Sequence, residues 1–180
     1  MACNPTLTGI SFSCDDLGIG GLTKVYIANK SDLSGIVTVA NDVVTIAPTA
    51  SNLVADGDAV EIDFNLKDGF SVFSEVKTVT ADGTTNVVPT ISIEIPKMTA
   101  AHRNELEAIS KAGAEMVAFI ETAAGTHHLV GYDYGLYAST VDATSGTGRS
   151  EKNRYQITFT GEEDALSLDI ADAEWTDVAG

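Results

Sequence analysis

Residues 91–120 read ISIEIPKMTAAHRNELEAISKAGAEMVAFI, and this stretch decides the fold that the sequence predicts. Residues 91–95 alternate apolar and polar side chains, which is typical of a strand with one buried and one solvated face. A helix is predicted to follow, with Thr99 as its N-cap and Gly113 just past its end. Residues 116–120 are all apolar and predict a strand buried on both faces. The order strand, helix, strand indicates a helix that packs on a sheet.

The predicted helix has one narrow apolar stripe. Leu106 and Ile109 lie on that stripe with His102, whereas Arg103 and Glu107 lie four residues apart on a wetter side. Because no other large apolar side chains are available on the helix, we expect Leu106 and Ile109 to pack on the sheet.

Other segments show the same alternation of apolar and polar residues. It recurs at 60–66, 155–160 and 166–170, and a second continuous apolar run lies at 24–28. Strands with one wet face are typical of antiparallel sheets. The sequence therefore predicts a mostly β protein with one α-helix, an antiparallel β-sandwich or barrel with the helix packed on one sheet.

Composition is consistent with one domain spanning residues 1–180, with 1–22 as an N-terminal arm. Hydrophobic residues make up 44% and charged residues 20% of the chain. The 26 acidic residues outnumber the 10 basic ones and give a formal net charge of -16. Because the lysines are scattered singly, specific binding to nucleic acid is excluded. The sequence shows neither a secretion signal nor an apolar run long enough for a membrane span.

Residues that could carry chemistry do not fall into a known pattern. Cys3 and Cys14 have no metal-binding spacing with His102, and the adjacent His127 and His128 would point to opposite faces of a strand. The glycine-rich stretches match neither a P-loop nor a dinucleotide fingerprint. We therefore expect no catalytic residues, no cofactor and no metal site.

Two long polar segments, 48–58 and 138–153, are predicted to be loops. The second is rich in Ser, Thr and Gly, and we expect it to be flexible in an isolated subunit and ordered by a neighbour. A merely solvated connection is the alternative. Candidate contacts between subunits are Pro48, Asn52, Asp56 and Asp58 in the first segment, and Thr144, Gly146, Arg149 and Lys152 in the second.

Three stretches carry a resemblance to a known family. They are CNPTLTGISFSC at Cys3–Cys14, GGLTKVYIAN at Gly20–Asn29, and GTGRSEKNRYQITFTGEE at Gly146–Glu163. With these stretches and its order of elements, the chain resembles the tail tube proteins of long-tailed bacteriophages.

The resemblance implies a structural subunit of the virion tail, assembled in the host cytoplasm. Such proteins form stacked hexameric rings whose inner sheets merge into one barrel, with the helix outside and a long loop that reaches the next ring. The implied partners are further copies of the chain, other tail or head-to-tail proteins, and viral DNA that passes through without specific binding. No membrane is involved.

Acidic residues on wet strand faces are candidates for the wall of such a channel. Glu61, Asp63 and Glu94 each alternate with apolar neighbours, so we expect them on a solvated sheet face. If that face lines the lumen, its negative charge would repel the phosphates of DNA.

Two other classes of protein stay open at this point. A head decoration or head-to-tail joining protein also uses small β-rich scaffolds, but does not polymerise without limit. A carbohydrate-binding β-sandwich would need exposed aromatic side chains, and Tyr132, Tyr134 and Tyr137 are the available cluster. For these tyrosines we favour packing beneath the helix.

Overall fold

The computed structural model describes residues 20–47, 53–64, 71–111, 113–146, 148 and 151–179. Most of these residues form antiparallel strands, so the mostly β prediction is confirmed, but they contain three helices rather than one. The elements are β1 (Leu22–Asn29), β2 (Val37–Ala40), β3 (Val43–Ile46), α1 (Leu53–Asp56), β4 (Ala59–Glu61), β5 (Val72–Val79), β6 (Thr85–Pro96), α2 (Ala100–Ile109), β7 (Met116–Thr122), β8 (His127–Val130), β9 (Leu136–Thr144), β10 (Arg154–Gly161), β11 (Leu168–Asp169) and α3 (Asp172–Ala179).

Nine of the strands form one sheet with two distinct halves. The central half consists of β4, β1, β7, β8 and β11, and the open half has the strand order β9-β10-β6-β5. The halves are joined where Met116 of β7 pairs with Leu136 of β9. Among the described residues the sheet does not close into a barrel, because its end strands β5 and β11 do not pair with each other.

The first hydrophobic core lies between the two halves of the sheet. Val25 and Ile27 of β1 and Ala118 of β7 contribute from the central half, and Ile93 and Ile157 contribute from the open half. These residues occupy alternate positions of their strands, as the period of two requires. The two halves therefore pack face to face through this core.

The second hydrophobic core covers the opposite face of the central half. Tyr26, Val117 and Phe119 point into it from the sheet, and the β2–β3 hairpin, α1 and α3 close it from outside. Trp175 of α3 packs edge-on against Tyr26 with ring centroids 5.6 Å apart. Strands β1 and β7 are thus buried on both faces, as their continuous apolar runs predict.

Helix α2 begins where the sequence predicts and ends earlier. The Thr99 hydroxyl accepts a hydrogen bond from the backbone N–H of His102 at 3.1 Å, as an N-cap should. The helix ends at Ile109 with Ser110 as its cap, so Gly113 lies beyond it. On the exposed side, Arg103 and Glu107 are 3.9 Å apart.

Two of the predicted strands are shorter than expected. The predicted strand 60–66 is a strand only as far as Glu61, Val60 is exposed rather than buried, and residues 65 and 66 lie outside the described part. At the predicted strand 166–170 only Leu168 and Asp169 pair, and Leu166 is exposed. Alternation of apolar residues was a weaker guide here because each segment has a sheet partner over only a few residues.

The prediction of a loop over 138–153 is wrong for its first part. Residues 138–144 belong to β9 and pair with β10. Thr and Val favour strands, and pairing with β10 satisfies backbone groups that a loop would leave to water. Segment 48–58 is also not wholly a loop, because residues 53–56 form the short helix α1.

Candidate functional site

The outward face of the open half is lined by hydroxyl side chains, and we call it the hydroxyl face. Strand pairing places Val72, Ser92, Thr158 and Thr140 in one row across all four strands, and Ser74, Thr90, Thr160 and Tyr137 in the next row. The alternate residues of β6 and β10 point into the first core. The hydroxyl face is therefore a regular polar surface on a sheet whose other side is buried.

Several of these hydroxyls are hydrogen-bonded within the face. The Ser92 and Thr158 hydroxyls are 3.2 Å apart, and Thr160 donates to the Pro89 carbonyl at 3.1 Å. Ser139, at the bulge in β9, donates to the Thr158 carbonyl at 3.0 Å. Neighbouring strands thus satisfy these donors without a ligand.

The expectation that Glu94 stands on a solvated face is wrong. Glu94 is on the outward side of β6, opposite Gln156, yet only 1% of its surface is exposed. Its carboxylate lies 2.5 Å from Nη1 of Arg154 and 3.3 Å from Nζ of Lys152. These two long side chains cover the carboxylate and compensate its charge.

The structure does not bring the three candidate acids together. Glu61 and Asp63 are exposed, as expected, but they border an apolar groove beside α2 that is lined by Ile62, Ile95 and Leu106. Ile95 faces the first core, whereas Glu94 faces away from it. A single acidic surface made of Glu61, Asp63 and Glu94 is therefore excluded within one subunit.

Helix α2 lies over the edge of the first core. Leu106 is buried in that core with 3% of its surface exposed, and Ile109 packs against it half-buried. The structure thus places both residues of the apolar stripe on the sheet.

The open half ends on both sides in an unpaired strand. Among the described residues, β5 pairs only with β6, and β9 pairs with β10 and meets β7 at a single position. Since each pairing in the order β9-β10-β6-β5 is antiparallel, β5 and β9 run in opposite directions. Two long rows of backbone donors and acceptors are left available at these edges.

Both edge strands carry exposed apolar side chains. Val72, Val76 and Val79 of β5 are exposed, and so are Tyr137 and Val141 of β9. Isolated edges are normally protected by lysine, proline or short length, but these two strands have eight and nine residues with one lysine and no proline. Such edges are suited to pairing with another chain.

The candidate contact residues of the second predicted loop lie near the end of the open half. Thr144 is the last residue of β9, Gly146 lies in the turn that follows, and Lys152 binds Glu94. The Asn153 carbonyl and side chain accept hydrogen bonds from Lys97 N–H at 3.0 Å and Met98 N–H at 3.1 Å. The base of this turn is therefore attached to the β6–α2 corner.

The other candidate contact residues lie apart from that turn. Asp56 is in α1 and Asp58 is in the connection to β4. Pro48, Asn52 and Arg149 lie outside the described residues, as do residues 1–19 of the predicted N-terminal arm.

The tyrosine cluster differs from the packing that we favoured. Tyr132 and Tyr134 lie between β8 and β9, and only Tyr132 packs on a core, the second one. Tyr134 and Tyr137 are exposed, and the Tyr134 hydroxyl donates to Asp164 at 3.0 Å. Neither of these two tyrosines is covered by α2.

A buried carboxylate that the sequence did not single out joins the two halves of the sheet. Glu163 exchanges backbone hydrogen bonds of 2.8 Å with Val87 of β6. Its side chain accepts from the N–H groups of Asp133 at 3.1 Å and Tyr134 at 3.4 Å. Burial raises the pKa of Glu163 above its usual value, although the two backbone donors partly oppose that rise.

The histidine pair lies on opposite faces of β8, as expected. His127 stacks on Trp175 with centroids 4.3 Å apart and lies 3.3 Å from Asp172, and His128 lies 2.9 Å from Asp169. In the part of the chain that the structure describes, no group of three or more His, Cys, Asp or Glu residues is arranged to hold a metal ion. These histidines hold the C-terminal segment against β8.

Comparisons with known proteins do not assign the chain to a family. A scan against family models, a search of curated proteins and a search of solved structures each returned no significant match. None of the helices found among the described residues is long and apolar enough to cross a bilayer.

Proposed function

We propose that this chain is the structural subunit of a phage tail tube, which assembles into stacked rings that enclose a channel for viral DNA. The observation that carries the proposal is the open half, a four-stranded antiparallel sheet with an unpaired strand at each side. One face of that sheet is buried, and the other is polar and free of covering elements among the described residues.

The two edges are suited to each other in direction. Because β5 and β9 run in opposite directions, β5 of one subunit can pair with β9 of the next in the same antiparallel pattern as the rest of the sheet. An even number of strands per subunit keeps this pattern around a closed ring. A ring built in this head-to-tail way leaves no edge exposed.

The exposed apolar side chains supply a reason for the edges to associate. Val76 on β5 and Val141 on β9 would lose solvent contact when the strands pair. Neither edge has a cluster of like charge, although the whole chain has a formal net charge of -16. Repulsion between subunits is thus weakest where we place the contact.

The ring would contain six subunits, as the resemblance implies, with the hydroxyl face toward the channel and α2 outside. Further copies of the chain are then its main partners, with other tail or head-to-tail proteins at the ends of the tube. The site of action is the virion tail, after assembly in the host cytoplasm.

Electron microscopy of the concentrated, purified chain tests the proposal, with sedimentation to measure the assembled fraction. We expect hollow rods with a pore that admits a DNA duplex. Discrete monomers at every concentration would contradict it, and trimers or isolated rings would favour a decoration or joining protein. Binding to oligosaccharides that is lost on Tyr134→Ala or Tyr137→Ala would favour the sugar-binding alternative.

Two valines make a matched pair of variants. Val76 and Val43 are each 60% exposed, but Val76 is on the β5 edge and Val43 is on the separate β2–β3 hairpin. Val76→Lys places a charge at the proposed contact and should leave the chain monomeric. Val43→Lys should assemble like the wild type, and equal assembly of both variants would place the contact elsewhere.

A further inference from the structure

The negative charge of the chain is excluded from the hydroxyl face. Of the outward-facing residues on its four strands, Glu94 and Asp142 are acidic and Arg154 is basic. Lys152, which lies just before β10, adds a second cation through its contact with Glu94. The face is therefore formally neutral in a chain whose net charge is -16.

The one carboxylate at the centre of the face is compensated within the subunit. Glu94 is buried between Arg154 and Lys152, at 2.5 Å and 3.3 Å. A buried carboxylate with two cations at this distance projects little field into solvent, because the opposite charges cancel beyond their own separation. Glu94 thus keeps two cations occupied that would otherwise be available to phosphate.

The hydroxyls of the face have no charge and are partly engaged with each other. Ser92 bonds to Thr158, and Thr160 bonds to a backbone carbonyl. Tight binding of DNA comes mainly from cations that neutralise phosphates and release counterions. A face with no uncompensated cation lacks that source of affinity.

We infer that the hydroxyl face is an electrically neutral channel wall, along which duplex DNA slides without binding and without repulsion by carboxylates. The inference rests on the proposed tube and gives its wall a chemistry that differs from the acidic surface expected from the sequence. DNA passes because the cations of the wall are already paired with Glu94 and Asp142. Passage should therefore depend little on salt.

The test uses assembled tubes and a short fluorescent DNA duplex. Retention is measured by co-sedimentation at about 50 and 200 mM salt, a range over which cation-phosphate binding changes strongly. Protection from nuclease distinguishes DNA in the channel from DNA on the outside. Wild-type tubes should retain no DNA at either salt concentration.

Glu94→Gln is the decisive variant. It leaves Arg154 and Lys152 uncompensated and gives every subunit one extra positive charge on the face. Retention should rise at least about tenfold at low salt and disappear at high salt, because several cations per ring would contact one duplex. Glu105→Gln removes a carboxylate from the exposed side of α2 and serves as the matched control, with no retention.

Asp142→Asn covers the case in which Glu94→Gln fails to fold. Asp142 is exposed on the same face, and its removal should cause retention in the same direction. If tubes form but Glu94→Gln or, should that variant not fold, Asp142→Asn behaves like Glu105→Gln, the neutral wall is wrong and the tube stands. Retention of DNA in wild-type channels would also overturn the neutral wall. If no tube forms from the wild type, both proposals fall.

Discussion

The two halves of the nine-stranded sheet are built from similar strands but differ in what covers them. The central half lies between two cores, so Val117 and Ala118, adjacent residues of β7, point to opposite sides and are both buried. In the open half, Ile157 and Thr158 are also adjacent, but only Ile157 enters a core. The comparison shows that one half is completed by its own chain and that the other has a face and two edges left for partners.

The largest expected effect is in the central half. Phe119→Ala removes a fully buried ring from the second core and should lower the free energy of unfolding by about 3–5 kcal/mol. Urea denaturation of the variant and the wild type measures the difference. A loss below about 1 kcal/mol would mean that the second core is not tightly packed.

The contact of α2 with the first core comes next. Leu106→Ala should cost about 2–5 kcal/mol, because the helix has no other fully buried side chain. Glu105→Ala, on the exposed side of the same helix, should change stability by less than about 0.5 kcal/mol. Similar effects of the two substitutions in thermal or urea unfolding would show that α2 does not depend on this contact.

The joint between the halves should respond to pH through Glu163. Because burial raises the pKa of Glu163 in the folded chain, the folded chain binds this proton more tightly than the unfolded chain does. The stability contributed is complete below the unfolded pKa of about 4.3 and is lost as pH rises through the higher folded pKa.

Glu163→Gln removes that titration and isolates it from the other acids. The free energy of unfolding of the wild type minus that of the variant should fall as pH rises from about 4 to about 7. Urea unfolding at several pH values gives this difference. A difference that rises with pH would show that the hydrogen bonds from Asp133 and Tyr134 outweigh the cost of burial.

The smallest expected effect separates folding from assembly. Val76→Ala on the β5 edge should change the stability of the monomer by less than about 0.5 kcal/mol, whereas Val117→Ala in the central half should cost roughly 1.5 kcal/mol or more. Sedimentation should show weaker assembly for Val76→Ala. A Val76→Ala monomer as unstable as Val117→Ala would mean that the β5 edge is already covered within the subunit.

The sequence by itself determined the elements whose pattern is local and long. Alternation at 91–95 and 155–160 predicted strands with one buried face, and the apolar runs at 24–28 and 116–120 predicted strands buried on both. Thr99 predicted the start of α2 because an N-cap depends on bonds within one turn. The mostly β, antiparallel character follows from these segments.

Only the tertiary structure decided what covers each face. The period of two places Glu94 opposite the isoleucines, but its burial depends on Arg154, which is 60 residues away in the chain. Residues 138–144 form a strand because β10 pairs with them, and α3 packs where Trp175 finds the second core. Periodicity reports the direction of a side chain from its own backbone, whereas burial, charge compensation and free edges depend on distant segments that no local pattern contains.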